Sequence, residues 1–278
     1  MKEKIKSYCN SIGIQEIGFV KCRRFDELIS FYNYRKENNL ENEFEESDIE
    51  KRINPKLYMN EGKTIISIAF PYLWNNDYVE NGFSKYTKGY DYHKVVKMHL
   101  DKICNMIIEA GGKAISLVDS NALPERYIAY LAGVGFIGKN NMIITKTHGS
   151  YVFLGEIITD LNLYDDDVRK FDEISKFKEC GECTICYKEC PTKAINEYKK
   201  NPNICTSYIT QKKELTDIEI KLLKDKIFGC DVCQNKCPYN ENISFSKIKE
   251  FKPLEFMENG KYEVYAEWSC DTWNNGWS

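Results

Sequence analysis

Eight of the twelve cysteines in this 278-residue chain lie between Cys180 and Cys237. Their order, Cys180-x2-Cys183-x2-Cys186-x3-Cys190-Pro191, is the ferredoxin run that holds 4Fe–4S cubes. Three thiolates two residues apart wrap one face of a cube, and the fourth points away to a second cluster. Pro191 has no N–H and turns the chain there. Cys205 and Cys230-x2-Cys233-x3-Cys237-Pro238 follow. Reciprocal sharing gives Cys180, Cys183, Cys186 and Cys237 to one cluster, and Cys190, Cys230 and Cys233 to the other. Cys205 is the unassigned cysteine nearby and completes the second set. Zinc also takes Cys-x2-Cys ligands, but two four-cysteine zinc sites leave the Cys-Pro endings unexplained. Cys9, Cys22, Cys104 and Cys270 read as ordinary thiols. Two adjacent clusters make an electron path, and such a path must end at a redox centre or a partner.

The first 165 residues offer fewer groups for chemistry. Asp119 follows an apolar strand and opens the polar break Asp119-Ser120-Asn121. Spacing alone favours an Asx turn or helix cap there, and the alternative is a catalytic carboxylate at a strand end. His93 reads as a helix-start residue and His148 as an exposed turn residue. Gly133-x-Gly135-x-x-Gly138 matches the dinucleotide fingerprint in letters only, since a helix precedes it and a strand follows, the reverse of the order that motif needs. The glycines fit a tight helix-to-strand turn.

These groups need a scaffold, and the hydrophobic pattern describes one. Residues 1–13 and 25–37 have helical spacing, and 92–110 is the clearest helix, with Val96, Leu100, Ile103 and Ile107 in one stripe ended by Gly111-Gly112. A further helix starts at Pro124 and runs to about Ala132. Strands are expected at 18–20, 64–70, 114–118, 142–145 and 151–158, the last two joined around His148-Gly149-Ser150. The acidic stretch from Glu41 to Glu50 reads as a solvated loop, and Asp165-Asp166-Asp167 as a boundary. The expected class is α+β, with an α/β domain over 1–165, a ferredoxin-like two-cluster domain over 166–245 and a tail over 246–278. Net charge is −3 and mean hydropathy −0.52, with 42% apolar residues. That composition excludes a disordered chain and gives no nucleic-acid signature by itself. No apolar run reaches the roughly 20 residues that span a bilayer, and no apolar block follows the charged N-terminus, so a cytoplasmic protein without membrane contact is expected.

Four further segments carry a resemblance: Tyr86-Thr-Lys-Gly89-Tyr-Asp91-Tyr92-His93-Lys94, Val118-Asp119-Ser120, Ala132-Gly-Val-Gly-Phe-Ile-Gly138-Lys139-Asn140 and Gly149-Ser150-Tyr-Val-Phe-Leu-Gly155-Glu156. They precede Cys180-Gly-Glu-Cys-Thr-Ile-Cys, Cys205-Thr-Ser207-Tyr-Ile-Thr210 and Ile227-Phe-Gly-Cys230-Asp231-Val-Cys233-Gln. From about Arg52 to about Asn240 the chain resembles the epoxyqueuosine reductases, cobalamin-dependent iron–sulfur enzymes of tRNA modification. The resemblance implies reduction of the epoxide of epoxyqueuosine in a tRNA anticodon loop, giving queuosine and water. It also implies a reductive-dehalogenase-like N-terminal domain holding cobalamin beside one cluster, and an unidentified low-potential electron donor. It places Asp119 at the proton-donor position and puts Arg52, Ser84, Ile143, Leu154, Ser207, Cys230 and Asp231, with Asp119, in segments near the corrinoid. Members commonly continue beyond the region matched here in a helical repeat that helps dock tRNA.

A carboxyl shielded from water keeps its proton near neutral pH, which is the expectation for Asp119. Lys85, Lys88, Lys94, Lys97 and Lys102 outnumber Asp91 and Asp101 over residues 85–102, a basic surface for tRNA or a merely solvated helix face. Two rival readings keep the metal centres: a corrinoid reductase of a small molecule such as an organohalide, and a non-catalytic ferredoxin-type carrier.

Overall fold

In chain order, the computed structural model contains α1 (Lys2–Ser11), β1 (Ile17–Lys21), α2 (Ile29–Glu37), α3 (Ile49–Ile53), β2 (Thr64–Pro71), α4 (Tyr92–Glu109), β3 (Ala114–Leu117) and α5 (Glu125–Leu131). Next come β4 (Phe136–Ile137), β5 (Ile143–Ile144), β6 (Val152–Thr159), α6 (Phe171–Ile174), α7 (Ile185–Glu189), α8 (Thr206–Ile209), α9 (Asp217–Leu223), α10 (Val232–Asn235) and α11 (Glu255–Glu258). The residues described are 1–165, 169–198 and 200–258. Part of the acidic run at 165–167, Cys270 and the tryptophans of the tail fall outside them. No helix among the described residues is long and apolar enough to cross a membrane.

Four strands form an antiparallel sheet in the order β1-β2-β6-β3. Every residue of β2 is buried, because both faces of the sheet are covered. Side chains alternate across a strand, so Ile66, Ile68 and Phe70 pack with α1 and the Val96–Leu100–Ile103–Ile107 stripe of α4. Ile65 and Ala69 face the other way, toward Tyr127, Ile128 and Leu131 of α5 and Phe25, Leu28 and Tyr32 near α2. The nearly continuous apolar run from Ile65 to Phe70, interrupted by Ser67, is the sequence trace of that two-sided burial.

Three expectations change. β5 pairs with β4 rather than with β6, in the register Phe136↔Ile144 and Ile137↔Ile143. The intervening turn is not exposed: His148 is only 3% accessible, with Nδ1 at 2.8 Å from the Ser244 carbonyl. A chain segment from beyond the cysteines covers it. The acidic stretch is also not simply solvated, since Glu45 pairs with both Arg35 (2.6 Å) and Arg52 (3.0 Å).

β1 passes so close to the end of α5 that a Cβ on Gly18 would stand 1.9 Å from the Ala132 carbonyl oxygen. Backbone cannot yield there as a side chain would. Gly18→Ala is expected to destabilise the protein by at least about 1–3 kcal/mol, the range for overpacking a filled core. Gly111→Ala, at φ +86° with open space around the added Cβ, should cost about 1–2 kcal/mol from backbone conformation alone. Thermal unfolding of both variants checks this: Gly18→Ala should have the lower midpoint.

Candidate active site and metal centre

The eleven cysteines described are all free thiols. Those of the cysteine-rich segment fall into two groups by the charges they feel. Cys186 is pushed up to about 11, first by burial and then by Cys180, Cys237 and Cys183. Cys233 is raised by burial and then by Cys230, Cys205 and Cys190, with Cys186 next. Cys180, Cys183, Cys186 and Cys237 thus neighbour one another, as do Cys190, Cys205, Cys230 and Cys233, and Cys186 is where the two sets adjoin. α7 and α10 pack together and carry Cys186 and Cys233. Eight thiols without a disulfide suit two cubic clusters, whose iron offsets the mutual repulsion of the thiolates. A cube holds its sulfurs farther apart than one ion does, and among the described residues no three His, Cys, Asp or Glu side chains form a single-ion site.

The cysteine-rich segment is joined to the sheet layer by a polar seam. Ile227 N–H donates to the Gly82 carbonyl at 2.7 Å and Ser84 N–H to the Phe228 carbonyl at 2.8 Å. The Ser84 hydroxyl donates to Asp231 Oδ1, and the Lys85 N–H to Asp231 Oδ2 at 2.7 Å. Gly229, at φ +76°, is required here: a Cβ would meet Ser84 Cβ at 2.5 Å. Ser150 N–H donates to Asn240 Oδ1 at 2.7 Å, and the Ser150 hydroxyl to Gln234 Oε1 at 3.0 Å. Ser84, Cys230 and Asp231 are thus brought together.

Other expected corrinoid neighbours are placed differently. Arg52 gives its guanidinium to Glu41 and Glu45, both at 3.0 Å, and lies over the Tyr32 ring. Its loop reaches the cysteine-rich segment through Phe44, which packs edge-on against Tyr208 beside Ser207. The neighbouring Thr206 Oγ1 is buried with no hydrogen-bond partner, a free polar atom of the kind the amide-rich rim of a corrinoid can satisfy. Ile143 is buried next to Asn141, whose carbonyl accepts from Arg126 at 2.6 Å. Lys200 approaches the same residue, and burial followed by Arg126 pushes its ammonium down to about 8. Leu154 is half-buried on β6. Arg126 and Lys200 were not singled out by their sequence positions.

Asp119 closes the third corner. It sits at φ +47° in the turn after β3, where its Oδ2 accepts from Tyr92 OH at 2.7 Å and meets His93 Nε2 at 3.1 Å. Asp91, which caps α4, holds His93 Nδ1 at 2.9 Å. Tyr92 is stacked on Phe153 of β6 at 4.3 Å, which fixes the phenol. Burial would raise the Asp119 carboxyl, but the hydrogen bonds from His93 and Tyr92 outweigh it and hold it below the usual range. Burial would lower His93, yet Asp119 and Asp91 carry it up to about 9. The Asp119 side chain is 56% exposed, so it is an ion-paired carboxylate in an open cleft rather than a shielded acid. The cleft, about 280 Å³, is lined by His93, Lys97, Ser116 and Ser120 among others. The basic run shrinks: Lys88 is 1% exposed, Lys85 binds Asn235 and Tyr151, and Lys97 pairs with Asp101.

Two outcomes follow from this geometry. The His93–Asp119 pairing stabilises the fold fully below the ordinary histidine range, near 6.5, and loses its effect as pH rises through about 9. An NMR titration should therefore give His93 a midpoint well above 6.5, falling back toward it in Asp119→Asn. Cys205→Ala should lose one cluster and keep the other, so that iron drops from about eight to about four per chain. Retention of all the iron would remove Cys205 from the ligand set.

Comparison with known proteins agrees with this architecture. Residues 52–120 match the family described as epoxyqueuosine reductase QueG, and residues 179–240 a 4Fe-4S double cluster binding domain. The epoxyqueuosine reductase of Lactococcus garvieae is 34% identical over 270 residues, 93% of this chain and 75% of that protein. That of Bacillus subtilis is 34% identical over 91% of this chain and 67% of its own length. An epoxyqueuosine reductase solved with an epoxyqueuosine-modified tRNA-Tyr stem loop superposes with a TM-score of 0.83 at 33% identity, over 92% of this chain and 70% of that one. A catabolic reductive dehalogenase shares the fold alone, with a TM-score of 0.54 at 15% identity over 95% of this chain and 36% of its own. With the cysteine grouping, the seam and the Asp119 cleft in one chain, this protein belongs to the epoxyqueuosine reductase family of iron–sulfur oxidoreductases.

Proposed function

We propose that the chain reduces the epoxide of epoxyqueuosine in tRNA to queuosine and water, with Asp119 at the centre of proton delivery. The observation that carries the reading is the placement of Asp119, between His93 and Tyr92 at the mouth of an open cleft, in a chain whose eight-cysteine electron path is joined to the same sheet domain. Two [4Fe–4S] clusters and a cobalamin are the resident cofactors, and when bound they supply the two electrons that opening the epoxide to an alkene consumes. The donor set fits them: two sets of four thiols for the clusters, and for the corrinoid the Ser84–Cys230–Asp231 corner with the unpaired Thr206 hydroxyl beside Ser207.

The reaction also consumes two protons and expels the epoxide oxygen as water. Of the two protons held against the Asp119 carboxylate, the Tyr92 phenol's at 2.7 Å and that on His93 Nε2 at 3.1 Å, the imidazolium's is the more acidic and the one that can be passed on at neutral pH. Passing it through Asp119 Oδ2 to the leaving oxygen leaves a neutral imidazole, oriented by Asp91 and ready to be reprotonated from solvent. Tyr92 OH keeps Oδ2 in place at 2.7 Å. A relative solved with its catalytic aspartate loop swung out of the active site supports reading the Asp119 turn as a moving part. The cleft is open, so a tRNA nucleotide can reach it. Lys94 and Lys102, both exposed, are what remains of the basic run for phosphate contact. The electron donor is an external low-potential reductant.

Asp119→Asn keeps the side chain's shape and removes its capacity to pass a proton. Clusters and cobalamin should load and reduce normally, while single-turnover product formation by the pre-reduced variant should fall roughly 10²- to 10⁴-fold, the usual contribution of a positioned acid or base. Turnover near that of the unaltered protein would mean that the proton comes from elsewhere.

A further inference from the structure

One buried acidic group plays no part in the reading above. Glu156 lies in the middle of β6, 0% exposed, in register with Ser67 on β2 and Leu117 on β3. Its side chain points to the α5 face, where the carboxyl of Glu125, at the start of α5, comes within hydrogen-bonding reach. Ser67 Oγ reaches Glu156 Oε1 at 3.4 Å, and Oε2 has no donor. Glu125 faces the other way as well: its Oε1 accepts the Asp119 backbone N–H and the Asn121 side-chain amide, both at 2.9 Å.

We propose that Glu125 and Glu156 share a single proton, and that this carboxyl pair is the latch that positions the Asp119 turn and releases it when the proton is lost. Two carboxyls in contact with one face buried cannot both ionise cheaply, and a proton held between them supplies the donor that Glu156 Oε2 lacks. The groups acting most strongly on Glu156 are Glu125, Ser67 and Asp119, none of them a cation. Arg126 and Tyr92 face Glu125 from α5 and α4, and His93 acts through Asp119. Burial, then the Asp119 charge, pushes Glu125 up to about 7, and burial, then Glu125, pushes Glu156 well above the usual range. Between the Glu125 midpoint and the higher midpoint at which the pair loses its shared proton, the pair carries one negative charge, and Glu125 stays in place as acceptor for the turn. Above that second midpoint the second charge repels both Glu156 and Asp119. Glu125, the half-buried member, then moves toward solvent and frees the Asp119 N–H. Both glutamates are positioning residues, since they reach the reaction only through Asp119.

The inference deepens the reading of Asp119 as the proton-delivering residue and rests on it for its functional meaning, but its test does not depend on turnover. Amide hydrogen exchange at Asp119, corrected for the intrinsic effect of pH, is measured in the cofactor-loaded protein a unit or two on either side of the second midpoint, where the shared proton is lost. The unaltered protein should exchange about tenfold to a hundredfold faster on the alkaline side, the loss expected for a hydrogen bond to a charged acceptor. Glu156→Gln, whose amide imitates the protonated carboxyl and donates to Glu125, should show no such step. Should that variant fail to fold, Glu125→Gln serves instead: it keeps an acceptor for the Asp119 N–H and removes the second charge, so its exchange should be flat as well. A protein equally protected on both sides, or the same alkaline step in the foldable glutamine variant, would overturn the latch. A normal latch together with normal turnover in Asp119→Asn would overturn the catalytic reading instead.

Discussion

Eight thiols crowded into one segment cannot all ionise in a protein interior unless something cationic offsets them. That constraint organises the second half of this chain. Among the described residues between Phe171 and Asn240 the helices are three to seven residues long, too short to be stable alone. What holds them is ligation by sulfur and the seam through which Asp231, Phe228 and Asn240 grip the sheet layer. The same seam holds Cys230 against the sheet layer, because Cys230 is adjacent to the aspartate that closes it.

The first half solves a different problem, that of holding acidic and basic groups at one mouth of a sheet buried on both faces. β6 is the common platform. Phe153 stacks the phenol that orients Asp119, and Glu156, on the opposite face, meets the glutamate that accepts its N–H. α4 delivers Tyr92 and His93, the β3–α5 turn Asp119, and the start of α5 Glu125. The Asp119 turn is held by hydrogen bonds to Tyr92, His93 and Glu125.

Much of this was legible in the sequence, for identifiable reasons. The cysteine spacing points to shared ligation, and the neighbourhood of Cys205 with Cys190, Cys230 and Cys233 is compatible with the place that elimination gave it. The α4 stripe and the nearly continuous apolar run of β2 encode burial on one face and on two. What escaped was long-range. His93 looked like a cap because its partner, Asp119, lies 26 residues away. His148 looked exposed because the chain that covers it, at Ser244, comes 96 residues later. The Glu41–Glu50 stretch looked solvated because its arginine partners are not periodic with it. Two letters did carry an unread signal: Glu156 is a charge inside the apolar strand Val152–Thr159, and such a residue needs a partner or a proton. The state of Asp119 could not be read from spacing either. It is set by two neighbours on α4, which turn an expected shielded acid into an ion-paired carboxylate.

The central claim is that the cluster path and the Asp119 cleft together act on a modified tRNA nucleotide. The most direct measurement is anaerobic turnover: the protein, loaded with iron, sulfide and cobalamin and chemically reduced, is incubated with a tRNA stem loop carrying epoxyqueuosine, and its nucleosides are analysed by mass spectrometry. The account predicts conversion to queuosine, dependent on both cofactors. Fully loaded and reduced protein that leaves the epoxide intact, while removing halide from a small organohalide or merely passing electrons to an acceptor, would contradict it.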